Sequence, residues 1–283
     1  MRFARSAARL EAVLSGHPMQ DWLQFLARLM RAQHTVAVSL PASPDPDRIS
    51  QGLGTRMPPL AADGYRRDPA WREALAGLLD AFGDTAMPQP ARQAMEDLRG
   101  RDAQAKEDLA EAFLRGLLNI ADAGAALYVA AALQVHFTSL AACLPQSLVP
   151  LLPERGLCPC CGSTPVAGVV TATGPAPPGT RYLHCSLCAT AWNHVRAICI
   201  TCGRSQTLAL RGIEGDTGAV KAETCDDCRT YAKMLYQARD TQVDPFADDL
   251  ATLGLDLLVS QAGWSRHAPN PWLLVGHPDP VVD

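Results

Sequence analysis

Four C-x-x-C pairs limit what this chain can fold into more than any other feature. They are Cys158/Cys161, Cys185/Cys188, Cys199/Cys202 and Cys225/Cys228. Their offsets reveal a duplication. Cys158 to Cys199 and Cys161 to Cys202 are each 41 positions; Cys185 to Cys225 and Cys188 to Cys228 are each 40. A period of about 40 residues with two pairs per copy reads as one small module used twice. The likeness extends beyond sulfur. A glycine follows the first pair of each copy (Gly162, Gly203), and an apolar run comes next ("VAGVV", "LALRGI"). A turn follows ("TGPAPPG", "EGDTG"), and an aromatic comes after the second pair (Trp192, Tyr231). This order predicts strand, turn, strand and a third strand in each copy.

The chemistry needs this spacing. Two thiolates three positions apart converge on one ion from a tight turn, and two such turns at opposite ends of a hairpin complete a tetrahedron. Glycine after the second thiolate admits the positive φ that such turns use. A unit of about 40 residues buries too little core to stand alone, and a bound metal supplies on the order of 10 kcal/mol. The 23- and 22-residue gaps between pairs lie slightly above the usual four-cysteine range. Site 1 is therefore expected from Cys158, Cys161, Cys185 and Cys188, and site 2 from Cys199, Cys202, Cys225 and Cys228. Disulfides across each C-x-x-C and a crossed pairing of the clips are the alternatives; the repeat favours sequential pairing. Cys160 is expected to point away from the ion, and Cys160 and Cys143 to be ordinary small residues. His184 and His194 are expected in supporting hydrogen bonds or on the surface, and Asp226 and Asp227 in solvent. Four sulfurs suit zinc or iron equally. A closed four-sulfur site has no open position, so neither reads as a hydrolytic centre. Iron there could pass an electron; zinc could not.

The remaining composition narrows the function classes. The formal charge of −4 and pI of about 6.0 argue against a general nucleic-acid binder, which relies on Lys and Arg to neutralise phosphates. Between Cys158 and Cys228 five basic residues face five acidic ones. No apolar run of signal length follows Arg2, Arg5 and Arg9. The most apolar stretch, Ala121–Leu144, is interrupted by Asp122, Gln134 and His136. Its clean piece, Ala123–Leu133, falls short of the ~20 residues a bilayer needs. It reads as a buried helix, with no membrane insertion. The expected compartment is the reducing cytoplasm, where disulfides are disfavoured. G-x-S-x-G, P-loop and H-E-x-x-H motifs are absent from the sequence, and no catalytic centre is expected.

The chain divides at Pro150 and Pro153, where the cysteine-poor half ends. Apolar stripes at helical spacing precede the break: Trp22, Leu26, Leu29; Trp71, Leu75, Leu78, Leu79, Phe82; Leu109, Phe113, Leu117, Ile120. Five or six helices are expected there, with Leu40–Gly64 a long loop and Asp68–Pro69 starting a helix. Phe246, Leu250, Leu253 and Leu257 predict one helix near the end, and "APNPWLL" an extended tail. The expected fold is multidomain α+β. An all-α domain spans 1–152, two four-cysteine ribbon modules span 153–195 and 196–240, and a C-terminal helix and tail span 241–283.

The stretches "RYLHCSLCATAW", "ICITCG", "KAETCDDCRTYAKMLYQ" and "ADDLATLGLDLL" resemble the formate dehydrogenase accessory protein family, FdhE. The likeness is densest from Cys158 to Trp272, including "NPWLL", and weak over the helical half. It implies a cytoplasmic protein needed for active respiratory formate dehydrogenases, enzymes that carry molybdenum or tungsten, selenocysteine or cysteine, and iron–sulfur clusters. It implies binding to their catalytic subunit before twin-arginine export. It also implies that the two ribbons are rubredoxin-like and hold iron, with all eight clip cysteines carried over as ligands. It gives Cys160 and Cys143 no role. The expected function is thus a non-enzymatic maturation factor with two metal ions, iron favoured by the resemblance and zinc the alternative, in a structural or redox role. The rivals are a zinc-ribbon nucleic-acid-binding or regulatory protein and a thiol oxidoreductase.

Overall fold

In the computed structural model the described residues are 2–273, apart from 41, 56, 64–66, 84–85, 154–155 and 269. The first half is helical: α1 (Arg2–Ala12), α2 (Gln20–Ser39), α3 (Pro46–Thr55), α4 (Ala70–Gly83), α5 (Gln89–Gly100), α6 (Ala103–Arg115) and α7 (Ala123–Ala142). The central α7 packs against α2, α4, α5 and α6. It is apolar nearly all round, as a helix enclosed by others must be. With the turn before it, α7 is long and apolar enough to cross a membrane, yet Tyr128, Val129, Leu133 and Phe137 are buried among the neighbouring helices. The Trp71–Phe82 stripe is wholly buried. Asp68 starts that helix: its carboxylate accepts from Ala70 N–H at 2.9 Å.

Four local expectations need correction. The stretch after Leu40 is not all loop, because α3 lies within it. Asp45 caps it by accepting from the Asp47 N–H at 3.0 Å, and Pro46 supplies the first helical φ. The Pro- and Asp-rich composition that suggested a loop contains that cap. The Leu109 stripe stops early. Gly116, at φ +69°, terminates α6 in the left-handed region, and Leu117 and Ile120 are 68% and 62% exposed. The C-terminal helix is two, α8 (Ala247–Ala251) and α9 (Leu253–Gln261). Phe246 and Leu250 are buried, but beyond the break at Thr252 the inward face passes to Leu255 and Val259, leaving Leu257 exposed. The tail is turned rather than extended. Asn270 forms a side-chain turn, accepting from Trp272 N–H at 2.8 Å, and buries Trp272; Pro269 and Leu274 lie outside the described residues.

Each cysteine-rich copy supplies three strands: β1 (Pro165–Val170), β2 (Arg181–Cys185), β3 (Ala191–Asn193), then β4 (Leu208–Arg211), β5 (Val220–Cys225), β6 (Thr230–Tyr236). Within a copy the pairing is antiparallel. Between copies, β1 and β6 run parallel, with Gly168 opposite Met234 and Val170 opposite Tyr236. The two ribbons therefore share one sheet, in the order β3-β2-β1-β6-β5-β4, and β7 (Ser265–Arg266) pairs with the start of β6. Gly168 permits the join, since a Cβ there would collide with the Met234 sulfur. Buried Arg181 crosses the same seam, donating to Glu223 on β5 at 2.7 Å and to the Ile198 carbonyl of the inter-copy linker at 2.8 Å.

Two cores result. One is continuous from the helices into the first copy, and includes Cys158, Cys161, Cys185, Leu187 and Trp192. The other packs Val166, Val220, Tyr231 and Leu235 of the sheet against Phe246, Leu255, Val259 and Trp264. Helix α1 is fastened to the chain's far end. Ser6 and Arg5 donate to Asp244 at 2.8 and 3.0 Å, and Arg9 Nη2 reaches Asp240 and Asp248 at 2.7 and 2.8 Å. Arg5 and Arg9, considered in the sequence only as part of a targeting signal, hold the two ends of the fold together.

Candidate metal centres

The four knuckles follow from the strand layout. In copy 1, Cys158 and Cys161 lie on the turn leading to β1, while Cys185 ends β2 and Cys188 lies before β3. The Gly162 N–H donates to the Cys158 carbonyl at 2.8 Å, and the Cys158 N–H to Ser163 at 2.9 Å. Gly203 repeats the first bond in copy 2, at 3.1 Å to Cys199. Both glycines sit at positive φ, +80° and +72°. The second knuckles use the same backbone without glycine. Ala189 and Arg229, each directly after its copy's last cysteine, have φ of 60° and 56°. Thr190 and Thr230 follow, their hydroxyls 3.1 and 3.0 Å from the sulfurs of Cys188 and Cys228. This C-x-T repeat, at the same 40-residue offset, is a site signal present in the sequence that the reading of the cysteines passed over.

The eight thiols gather as two clusters in chain order: Cys158, Cys161, Cys185, Cys188 and Cys199, Cys202, Cys225, Cys228. Within each, all sulfurs lie within 4.8 Å of one another. The short edges are 3.5 Å (Cys158–Cys188), 3.4 Å (Cys161–Cys185), 3.6 Å (Cys199–Cys228) and 3.7 Å (Cys202–Cys225). A regular tetrahedron with metal–sulfur bonds of about 2.3 Å has edges near ~3.8 Å, whereas a disulfide requires about 2.05 Å. All ten cysteines are free of disulfides. The donor set and its spacing therefore suit a tetrahedral thiophilic ion in either cluster.

Charge around cluster 1 fits the same reading. Four thiolates about a divalent ion carry a net −2. The buried Nε and Nη2 of Arg2 have no hydrogen-bond partner, and the guanidinium stacks 4.2 and 4.0 Å from the Phe3 and Phe246 ring centres. Burial lowers the Arg2 pKa to about 10, while Asp244, Cys185 and Cys188 pull it back up. A cation is thus held within electrostatic reach of the sulfurs. Burial, then the crowding of neighbouring sulfurs, pushes the Cys158 thiol far up. Ion binding must therefore displace protons from this cluster.

Cys160 stands outside the four gathered sulfurs, as expected of a spare; it is 1% exposed, and neighbouring Cys188, then burial, raise its pKa while Thr190 lowers it. Cys143 is exposed, 3.4 Å from the Ala42 carbonyl. Both histidines lie outside the clusters. His184 is held near pKa 4 by burial, beside Asp244 and Arg5, and His194 Nδ1 pairs with Arg181 at 2.6 Å. Asp226 faces solvent as expected. Asp227 is tied down, accepting from Thr207 at 2.9 Å and Arg204 at 3.3 Å.

The helical half grips cluster 1 through its backbone carbonyls. Gln134 on α7 donates to the Ser186 carbonyl at 2.8 Å and accepts from Gln33 on α2 at 3.1 Å. The N–H groups of Leu60 and Ala62 donate to the carbonyls of Cys160 and Cys161, each at 2.9 Å. An apolar cavity of about 780 Å³ adjoins this junction, lined by Pro58, Phe113, Leu118, Leu152, Leu187 and Leu273 among others. Behind the sheet, fully buried Lys233 donates to the carbonyls of Asp249 and Thr252 at 2.7 and 3.1 Å and pairs with Asp249 and Asp256. Arg266 joins the same two carboxylates, so two cations balance two anions. Burial would raise the Asp249 pKa, but Lys233 and Arg266 hold it below the usual carboxylate range.

Three family models match in succession: FdhE, N-terminal, over residues 1–152; FdhE, central domain, over 157–196; and FdhE, C-terminal domain, over 197–273. The chain belongs to the FdhE family. It is 37% identical over 276 residues to the Protein FdhE homolog of Edwardsiella ictaluri, covering 97% of this chain and 89% of that one. The FdhE homolog of Stutzerimonas stutzeri is 38% identical over 279 residues, covering 97% and 90%. Protein FdhE of Escherichia coli is 34% identical over 276 residues, covering 97% and 88%. The crystal structure of the FdhE protein from Pseudomonas aeruginosa matches with a TM-score of 0.90 at 36% identity, covering 98% of this chain and 97% of that one. The FdhE likeness thus extends through the helical half, where the quoted motifs carried little of it.

Proposed function

We propose that this FdhE-family chain is a non-catalytic accessory factor that binds the catalytic subunit of formate dehydrogenase in the cytoplasm during its maturation. One observation carries the reading: two four-sulfur clusters sit on a single sheet, one of them built into the helical core. A closed cluster can hold an ion but offers no position for a substrate. While all four sulfurs stay bound, its chemistry is restricted to shaping a surface or, with iron, to moving one electron. Cys158, Cys161, Cys185 and Cys188 would hold one ion, and Cys199, Cys202, Cys225 and Cys228 the other. Iron is proposed on the family resemblance. The apolar cavity beside cluster 1, next to exposed Leu117 and Leu151, provides surface for a protein client.

The test pairs a tagged catalytic subunit with this chain, with and without its ions, after metal content and visible spectrum are recorded. Expected are two ions per chain, the colour of ferric four-sulfur centres and a complex that depends on the ions. A chain with two ions that forms no complex, in cells whose formate dehydrogenase is fully active without it, would refute the accessory role. A colourless zinc form that supports full client activity would leave the clusters structural and exclude electron transfer.

A further inference from the structure

The two copies are equal in ligands but unequal in setting. In cluster 1 the exposures of Cys158, Cys161, Cys185 and Cys188 are 0%, 1%, 0% and 2%. In cluster 2 Cys199 and Cys225 are buried, Cys228 is half-buried and Cys202 is exposed. The sequence between the ligands differs in the same sense. The second clip of copy 1 encloses Ser186 and Leu187, and that of copy 2 encloses Asp226 and Asp227 at the matching positions. Leu187 is 2% exposed in the main core, and the Ser186 carbonyl is bonded to Gln134. Asp226 and Asp227 instead form an ionic collar with Arg229 and Arg204, each pair 3.3 Å apart. A polar surface cavity of about 360 Å³ opens there, lined by Gly203, Arg204, Ser205, Gln206 and Asp227, next to Cys202.

On the reading that both clusters hold metal, we propose that cluster 2 is the exchanging site, open at Cys202 to soft-donor ligands such as a thiol, and that cluster 1 is a sealed keystone. A reagent reaches Cys202 Sγ from solvent with the fold intact. Of the cluster 1 ligands Cys161 borders the apolar cavity, but it is 1% exposed, so a reagent must still part the first copy from α7 and from the 60–62 segment before it can bind these sulfurs. Exchange at cluster 2 is therefore limited by local access, and exchange at cluster 1 by partial unfolding. The duplication has yielded one position that holds the fold together and one that can trade ligands with a partner.

The experiment uses the full chain carrying zinc, with metal counted first. A small dithiol chelator, dimercaptosuccinate, is added in excess, ions are counted over time after rapid desalting, and quenched samples are alkylated for mass spectrometry. Expected is one ion lost in a fast phase, with labels on Cys199, Cys202, Cys225 and Cys228. The second ion should leave at least about a hundredfold more slowly, with labels on cluster 1 only then. Exposed Cys143 labels from the start and controls for reagent. Fewer than two ions at the outset would contradict the parent reading. Two ions leaving in a single phase, or early labels on cluster 1, would contradict the inequality alone. Gln134→Ala should quicken the slow phase and leave the fast one unchanged; the reverse pattern in a folded variant overturns the assignment.

Discussion

Replacing Gln134 by leucine tests how the helical half holds the first copy. Gln134 is 0% exposed and has one bond on each side: its amide donates to the Ser186 carbonyl at 2.8 Å and its oxygen accepts from Gln33 at 3.1 Å. Leucine matches its bulk but supplies neither bond. The Ser186 carbonyl then stays buried and unpaired, a cost of about 1–3 kcal/mol, and the lost Gln33 bond costs about 1 kcal/mol more. Burying leucine in place of an amide returns part of this, so a net loss of about 2–3 kcal/mol is expected. Gln33 keeps its bond to the Ala131 carbonyl at 2.9 Å, and its own oxygen already lacks a partner. Gln33→Leu/Gln134→Leu together should therefore cost less than the sum of the singles, by about 1 kcal/mol. Urea unfolding of the metal-loaded chain, followed by tryptophan fluorescence, reads the midpoint at constant slope. A single-variant loss below about 0.5 kcal/mol, the range of surface changes, or strict additivity of the pair, would refute the clamp.

Cys185→Ser should remove about one metal ion per chain while cluster 2 retains its own, read by elemental analysis; because Cys185 lies in the main core, cooperativity of unfolding should also fall. Ala189→Gly relieves a left-handed alanine and should raise stability by about 0.5–1 kcal/mol; the same change at exposed Ala191 on β3 should lower it. Burial lowers the pKa of His136 from 6.5 to about 4. Between those values the unfolded chain binds the extra proton, so this residue costs stability as pH falls below about 6.5, up to about 3 kcal/mol by pH 4. His136→Leu should flatten thermal stability across that window, and an unchanged slope would show that the imidazole is not buried neutral.

Much of the cysteine-rich half was legible because metal chemistry is local. The 40- and 41-residue offsets, the glycines and the aromatics sit close to the sulfurs they serve, and the strand order within each copy follows from them. The Trp71–Phe82 face was legible for a similar reason, since one helix fixes its own period. What escaped depends on distant partners. Spacing along the chain does not disclose that β1 and β6 pair, because that choice is made by Gly168 meeting Met234 and by Arg181 reaching Glu223. The grip of α1 on Asp240, Asp244 and Asp248 spans more than two hundred positions. Gln134 looked like an interruption in an apolar helix; its purpose lies on another element. At Asp45–Pro46 the signal was local but composition hid it, and at Leu117 the apolar period ran on past the glycine that ends the helix.

The union of β1 with β6 has a consequence for how such chains meet one another. The first strand of one ribbon joins the third strand of the next, so the joint is head-to-tail, and nothing in its geometry closes it after two units. At the outer margins of the sheet, β4 presents a first strand and β3 a third, two unfinished ends that are complementary in kind. Their brevity, four residues and three, is what keeps one molecule from templating the next. Lengthening either margin would invite strings of molecules rather than a closed pair.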